Sequence, residues 1–593
     1  MCLTGAMRID ENFTSSGHKR GFFLAFLLVV IAVLVIIGRL IYLMIFQADY
    51  YGIGAYEVQT RERTIKAQRG IIYDANGIAI ADNEPVCTIS VIHSQIKEPE
   101  RVIEILSKEL SVDENEVRKK VEKVSSREKI RSNVKKEIAD RIREYNLKGV
   151  MVDEDYKRFY PYGNLASKVI GFTGADNQGI IGLEVKYDEI LSGKPGKILT
   201  VTTAKGVEVE NTSEGRIEPE KGKDLYISLD LNIQKYAQQL CERTMEQKNA
   251  KSVRMIVMNP QNGEILSMVN VPEFDLNHPY QLISVSAVMT QKEISNALNE
   301  QWRNHCISDS YEPGSTFKIV TAVAALEEGK VKTTDSFFCP GFKIVADRKI
   351  RCHKTTGHGA ETFREGIMNS CNPVFMEVGA RVGVKPLLKN YRKLGLYSKT
   401  GIDLPGEANS IMHKEENIKE VELATMSFGQ SVQITPIQLL KAASMAVNGG
   451  KCITPHFGVK VVDHDGSEEE LTYQCDDSQG ISKETSDTMK ELLEAVVAEG
   501  GGNKAAIEGY RIGGKTATSQ KLPRSSHKYI SSFIGFAPAD DPQVIAMILI
   551  DEPQGVYYGG TIAAPVVKEL YENILPYLGM EPVQTEESEE TEH

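Results

Sequence analysis

The sequence predicts an α+β protein carried on a single N-terminal transmembrane helix. Three observations predict it: an uncharged apolar run near the N-terminus, β-prone segments at both ends of residues 226–578, and helical spacing between those ends. The chain has 593 residues, more than one core needs. Apolar residues make up 41% and charged residues 25%, a globular rather than a disordered composition. Asp plus Glu number 81 against 69 Lys plus Arg, and the net charge of −12 argues against a nucleic-acid binder. Nine cysteines are too sparse for a disulfide scaffold. A mean hydropathy of −0.25 excludes a polytopic membrane protein but leaves room for one span.

Residues 21–38 form an 18-residue run without a charge; Arg39 interrupts it and residues 40–46 continue it. About 20 apolar residues cross a hydrocarbon core of roughly 30 Å. Arg39 lies near the far end, where it can snorkel toward the headgroups. His18, Lys19 and Arg20 precede the run, so the positive-inside tendency keeps residues 1–20 cytoplasmic. The competing reading is a cleaved signal peptide. Its apolar core would usually span about 7–15 residues before a small-residue cleavage site, and RLIYLMIFQADYY offers none. Residues 21–46 are therefore expected to anchor the chain in the plasma membrane in a single pass, with the residues that follow outside.

Residues 47–225 read as a mostly β pedestal. It contains QRGIIYDANGIAIADN, whose Asn76-Gly77 is a turn signal between two β-prone runs. Within it, residues 100–147 are highly charged, with Val117, Val121 and Val124 at helical spacing, and predict a solvated amphipathic helical arm. Residues 150–225 return to short strands and turns. The texture changes at 226. A helix over 231–248 leads to a strand at 253–258, the turn NPQNG and a strand at 265–271. Helices and loops alternate until Gly514. Strands return in YISSFIGFAPA and QVIAMILIDEP, a helix covers 564–578, and the acidic tail 579–593 is expected to be disordered.

The chemistry starts from YEPGSTFK, which sets Ser315 and Lys318 three apart after a Pro-Gly turn. On a helix beginning at Ser315, positions i and i+3 share a face, so the amine can reach the hydroxyl. A hydroxyl needs a base, and a lysine serves where burial favours its neutral form. The spacing alone is weak: S-x-x-K starts at Ser16, Ser94, Ser126, Ser132, Ser315 and Ser525. Only Ser315 follows a turn and precedes an apolar helix. Two further elements strengthen it. Ser370 and Asn372 flank Cys371 after an amphipathic stretch, and Lys515-Thr516-Ala517-Thr518 has the alternation of a strand edge. The ordered trio S-x-x-K, S-x-N, K-T-x-T is the signature of penicillin-binding proteins and class A β-lactamases.

With these residues the chain resembles a class B penicillin-binding protein, a monofunctional peptidoglycan D,D-transpeptidase. The resemblance runs through RLIYLMIFQ in the anchor, the pedestal motif RGIIYD at Arg69–Asp74, RFYP from Arg158 and GIIGLE ending at Glu184. It continues in NPQNGEILSMVNVPEFDLN, SFGQSVQITPIQLL and YYGGTIAAPVV. The division and sporulation branch looks nearer than the rod-elongation branch, without the C-terminal PASTA repeats that sporulation-type members often carry. Two departures stand out. The family usually has Lys-Thr-Gly-Thr, where this chain has Ala517, whose methyl adds bulk at the floor beside the strand edge. Relatives often show Gly-Gln-Gly where this chain has Gly-Gln-Ser at 429–431. A literal Lys-Thr-Gly at 399–401 precedes GIDLPGE and reads as a loop outside the catalytic trio.

The resemblance implies a serine β-lactamase-like domain at 226–578 with a five-stranded antiparallel sheet flanked by helices. It implies Ser315 as nucleophile, Lys318 as base, Ser370 as proton relay beside Lys515, and Asn372 as partner of the substrate amide and Lys318. Thr516 and Thr518 would bind the terminal carboxylate. The substrate class is stem peptides ending in D-Ala-D-Ala, with β-lactams as acylating mimics, and catalysis needs no cofactor. A membrane glycosyltransferase of the SEDS type and other wall-synthesis proteins are the implied partners. A non-catalytic scaffold for that glycosyltransferase is the alternative function; a secreted β-lactamase would need neither anchor nor pedestal. Cys339, Cys352, His358 and Cys371 are spaced C-x12-C-x5-H-x12-C around the S-x-N motif. They suit a structural zinc, against a Cys339–Cys352 disulfide, or a buried free thiol at Cys371 with an unrelated surface His358.

Overall fold

The computed structural model describes residues 15–48, 60–125, 127–201, 215–284 and 289–582. The first 14 residues and nearly all of the acidic tail lie outside the described residues. The chain divides into two compact units, one of residues 1–65, 86–155 and 195–219, the other of residues 66–85, 156–194 and 220–593.

In the first unit, the helix Ser15–Ile41 runs on into a wider turn, Tyr42–Phe46. The stretch Arg20–Phe46 has a mean hydropathy of 3.2, and none of its most apolar window is buried. A helix that is apolar all round and uncovered in water has the pattern of a membrane anchor. The charged stretch at 100–147 differs from the solvated arm predicted. Helices Pro99–Leu110, Glu114–Val121 and Lys136–Glu144 and the strand Glu128–Lys135 enclose a core of their own. Val102, Ile103, Leu106 and Leu110 line one helical face and pack with Val117, Val121, Ile130 and Val134. Val124, grouped with the helix by spacing, is 87% exposed beyond its end. Elsewhere in this unit Thr60–Ile65, Gly196–Val201 and Gly215–Ile217 form a small antiparallel sheet.

The second unit brings pedestal segments into one body with the residues after 220. Three separate motifs meet there. Arg69 of RGIIYD and Arg158 of RFYP each place Nε 2.6 Å from an oxygen of Glu184 of GIIGLE, and all three side chains are buried. Arg69 Nη1 also donates to Asp188 at 2.7 Å. Asp74 closes the predicted turn by accepting the N–H groups of Asn76 and Ile78, and its other oxygen accepts the Leu231 N–H at 3.1 Å. That bond ties the turn to the start of α1, Leu231–Lys248.

After α1 come β1, Ser252–Met258, and β2, Ile265–Val271. Helices α2, Lys318–Glu327, and α3, Asn372–Val382, follow. Then come β3, Gly513–Gln520; β4, Tyr529–Ala537; β5, Val544–Asp551; and α4, Ala564–Tyr577. The five strands form the one antiparallel sheet expected, and their order is β2-β1-β5-β4-β3. Both faces are covered, which is why β5 is apolar throughout. Val544, Ala546, Ile548 and Ile550 join the core with α1 and α4, while Ile545, Met547 and Leu549 join the core that holds α2. Among the described residues, strand β3 pairs with β4 alone and leaves its other edge open. Two short antiparallel strand pairs, Ser336–Cys339 with Gly359–Thr362 and, between them in sequence, the hairpin Phe342–Val345 with Arg348–Arg351, stand where helices and loops alone are predicted.

Candidate active site

Ser315 sits in a turn, not in the first turn of the α-helix that the sequence predicts. Gly314–Phe317 is a 3-10 turn, and α2 begins at Lys318. From Tyr311 to Val320, Ser315 is the one residue that is not buried. Gly314 adopts a left-handed φ of +59°, and a Cβ there would lie 2.3 Å from Ser519 Oγ on β3, so only glycine lets the turn approach the strand. The SFGQS loop seats the turn from the other side: Gly314 N–H donates to Gly429 O at 3.0 Å. Glu312, just ahead of the turn, accepts the Ser431 N–H at 2.9 Å and pairs with Arg524 at 2.5 Å. Ser431, the departure from Gly-Gln-Gly, has φ +62° and shares a 2.8 Å hydrogen bond with the Thr425 hydroxyl. Neither Glu312 nor Arg524 stood out in the sequence, where their ion pair spans 212 positions.

Ser370 also takes a left-handed φ, +51°, between the helix Phe363–Met368 and α3. This kink presents Ser370 and Asn372 to the cleft while Cys371 is fully buried. Lys318 Nζ donates to Ser370 O at 2.6 Å, Ser370 Oγ at 3.2 Å and Asn372 Oδ1 at 2.8 Å. Lys515 Nζ donates to the same Ser370 Oγ at 3.0 Å and to Thr516 O at 3.2 Å. Both lysines are buried, and no carboxylate pairs with either among the described residues. Burial pushes the Lys318 ammonium down to about 8, outweighing Cys352, Cys371 and Glu361, which act to raise it. Burial, and then the charge of Lys318, hold Lys515 well below the ordinary lysine range.

The cleft is a cavity of about 940 Å³ lined by Ser315, Ser370 and Asn372 on one side and Thr516, Ala517 and Thr518 on the other. Of the S-x-x-K serines among the described residues, only Ser315 lines it. Along β3 the side chains alternate: Lys515, Ala517 and Ser519 are buried, while Thr516 and Thr518 are half-buried. The Ala517 methyl thus packs on the inner face, and Thr518 Oγ1 accepts the Gly559 N–H at 3.0 Å. Stacked Tyr529 and Tyr557, with Tyr558 beside them, add an aromatic wall to the cleft that sequence reasoning missed. Lys399-Thr400-Gly401 lies in a loop away from the cleft, where Thr400 N–H donates to Glu407 at 2.7 Å.

Behind Ser370, the donor atoms of Cys339, Cys352, His358 and Cys371 lie within 4.8 Å of one another. The three cysteines are free thiols, so the Cys339–Cys352 disulfide is not formed, and the His358 side chain is 7% exposed rather than at the surface. Hydrogen bonding to Cys371 favours Cys352 as a thiolate. Three sulfurs and an imidazole converging at this distance fit a tetrahedral zinc set. A disulfide joins Cys452 to Cys475, two cysteines the sequence did not single out.

Comparison with known proteins places the chain in a family. The pattern of the penicillin-binding protein transpeptidase domain matches residues 253–572, and that of the penicillin-binding protein dimerisation domain matches residues 64–227. Stage V sporulation protein D of Bacillus subtilis is 39% identical over 567 residues, covering 93% of this chain and 85% of the relative. The peptidoglycan D,D-transpeptidase FtsI of Buchnera aphidicola is 30% identical over 569 residues, covering 94% and 95%. In fold, the chain is similar to a peptidoglycan synthetase from Bifidobacterium adolescentis, with TM-score 0.72, 21% identity and coverage of 89% and 98%. It is also similar to penicillin binding protein 3 from Mycobacterium tuberculosis, with TM-score 0.67, 23% identity and coverage of 88% and 98%. A serine, two buried lysines and an open strand edge in one cleft, within a chain that matches both domains, give the conclusion: the chain belongs to the class B penicillin-binding proteins.

Proposed function

We propose that the chain is a peptidoglycan D,D-transpeptidase that cross-links stem peptides through an acyl-enzyme on Ser315. One observation carries this reading: the Ser370 hydroxyl bridges two buried lysine amines, at 3.2 and 3.0 Å, in the cleft that Ser315 lines. Two ammonium groups so close cannot both stay charged at low cost, so one is neutral near pH 8 and able to accept a proton. Ser315 Oγ attacks the penultimate D-Ala carbonyl and Lys318 takes its proton. Lys318 Nζ donates to Ser370 and Asn372, which hold the amine in the cleft; its hydrogen bond with the Ser315 hydroxyl forms when substrate is bound. The N–H groups of Ser315 and Thr518 stabilise the oxyanion, each worth about 2.7–4 kcal/mol of barrier. Ser370 relays a proton to the leaving amine, with Lys515 beside it. Thr516 and Thr518 hold the terminal carboxylate. D-Ala departs, and an amine of a second stem peptide attacks the ester to form the cross-link and free Ser315.

The test is to incubate the detergent-solubilised full chain with a pentapeptide ending in D-Ala-D-Ala and an amine acceptor. Release of D-Ala with formation of the joined peptide is expected. An inactive protein that still supports wall growth as Ser315→Ala in cells would favour the scaffold reading.

Three further assignments belong to this reading. The basic residues before the apolar helix support a cytoplasmic N-terminus and an external catalytic domain. The anchor and pedestal support a SEDS-type glycosyltransferase as partner. The Cys339, Cys352, His358, Cys371 set supports a structural zinc that would brace the S-x-N turn from behind, with no part in the chemical steps. Metal analysis of the full chain should find one zinc, lost in Cys371→Ser. Zinc-free protein with two thiols missing would contradict it.

A further inference from the structure

We infer that the catalytic groove continues past Thr518 along the open edge of β3 into a second cavity, built on Arg254, that takes a carboxylate upstream of the terminal D-Ala of the stem peptide. This rests on the transpeptidase reading and names a further feature of its substrate.

Three cavities adjoin along β3. The catalytic cavity shares Glu312, Ser519 and Gln520 with a smaller one of about 190 Å³. That one in turn shares Ser310, Tyr311, Lys521 and Ile530 with a third, of about 650 Å³. Thr518 and Lys521 are three strand residues apart, about 10 Å at ~3.3 Å per residue. A substrate lying extended along the edge, its terminal carboxylate near Thr516 and Thr518, covers that distance with about three residues.

The third cavity is left short of negative charge. Asp309 serves both Arg303 and His305, each at 2.6 Å. Lys521 bridges Asp551 and Glu552, each at 2.7 Å. Arg254, 8% exposed on β1, is left with long contacts to Ser252 at 3.4 Å and Asp551 at 3.5 Å. Its Nε has no hydrogen-bond partner among the described residues, and neither has the buried Tyr311 hydroxyl. Lys251, exposed at the rim, has no ion partner among the described residues. Lys168, Lys251, Arg254, Arg303 and Lys521 line this cavity against three carboxylates, Glu300, Asp309 and Asp551, and a wall with that excess of cations takes a carboxylate. Arg303, His305 and Glu300 face the cavity from the helical side, while Lys168 is held by the carbonyls of Asn270 and Pro272.

The experiment is a competition on the full chain in detergent. Two pentapeptides ending in D-Ala-D-Ala differ only at the second residue, Glu or Gln, and each slows acylation by a fluorescent penicillin. The Glu peptide should compete at a concentration about 10-fold lower. Lys251→Glu, at an exposed position, should erase most of that difference, and Tyr311→Phe should narrow it. Equal competition by the two peptides, or a preference that survives both substitutions, would overturn the inference alone. Absence of any penicillin adduct on the wild-type chain would remove the transpeptidase reading and this inference with it.

Discussion

Two buried charge clusters in the same unit behave in opposite ways. Around Glu184, two arginines share one carboxylate, with Asp188 as a further partner, and the charges neutralise one another. Interaction with Glu184 and Asp188 outweighs burial and leaves Arg69 more firmly protonated than usual. Around Ser370, two lysines share one hydroxyl, and burial drives both amines toward their neutral forms. Burial is common to the two clusters; the counter-charge is not. A buried cation with a carboxylate becomes a fixed part of the scaffold, whereas one given only a hydroxyl and an amide is biased toward its neutral form, the form a proposed base needs.

The contrast can be broken from either side. Lys318→Met removes the base and should slow penicillin acylation by roughly 10²–10⁴-fold, read by stopped-time labelling, with little change in thermal unfolding. Glu184→Gln should do the reverse. It leaves Arg69 and Arg158 buried without their shared carboxylate, a loss of about 3–5 kcal/mol visible as a lower unfolding temperature. An unchanged melting curve would mean that the arginine cluster is not held as described. The pH dependence sharpens the comparison. Only neutral Lys318 can accept the Ser315 proton, so the acylation rate should climb about tenfold per unit below its pKa of about 8 and level off above it. A flat profile from pH 6 to 9 would deny the lysine that role. The smallest effect belongs to Arg524→Ala, which frees Glu312 at a partly exposed pair. A loss of up to about 1 kcal/mol of stability should appear as a slightly lower unfolding temperature, with acylation slowed no more than a few-fold.

Much of this was legible in the residues because it is periodic or local. β5 is apolar over consecutive positions and α1 is amphipathic, so both were located within a residue or two of their ends. The trio at Ser315, Ser370 and Lys515 was legible because each motif is short and the three occur in order. The charged stretch misled for a physical reason. Ile130 and Val134 are four apart, a spacing that serves one face of a helix or one face of a strand equally well, so the strand Glu128–Lys135 carries no pattern that sets it apart from the helices around it. What stayed hidden is long-range. The Glu312–Arg524 pair, the Gly429 seat for the nucleophile turn, the tyrosine wall and the cavity at Arg254 all join residues from distant parts of the chain. No local pattern encodes them. The convergence of Arg69, Arg158 and Glu184 was hidden for the same reason, although each lay within a motif already noted.

The central claim is that Ser315 is the acylated serine because its turn, the two lysines and the β3 edge share one cleft. Labelling the full chain with penicillin, digesting it and sequencing the modified peptide by mass spectrometry tests this directly. A single adduct on Ser315, absent from Ser315→Ala, is the predicted result. An adduct on another serine, such as Ser525 in the basic loop, or labelling that persists in Ser315→Ala, would contradict it.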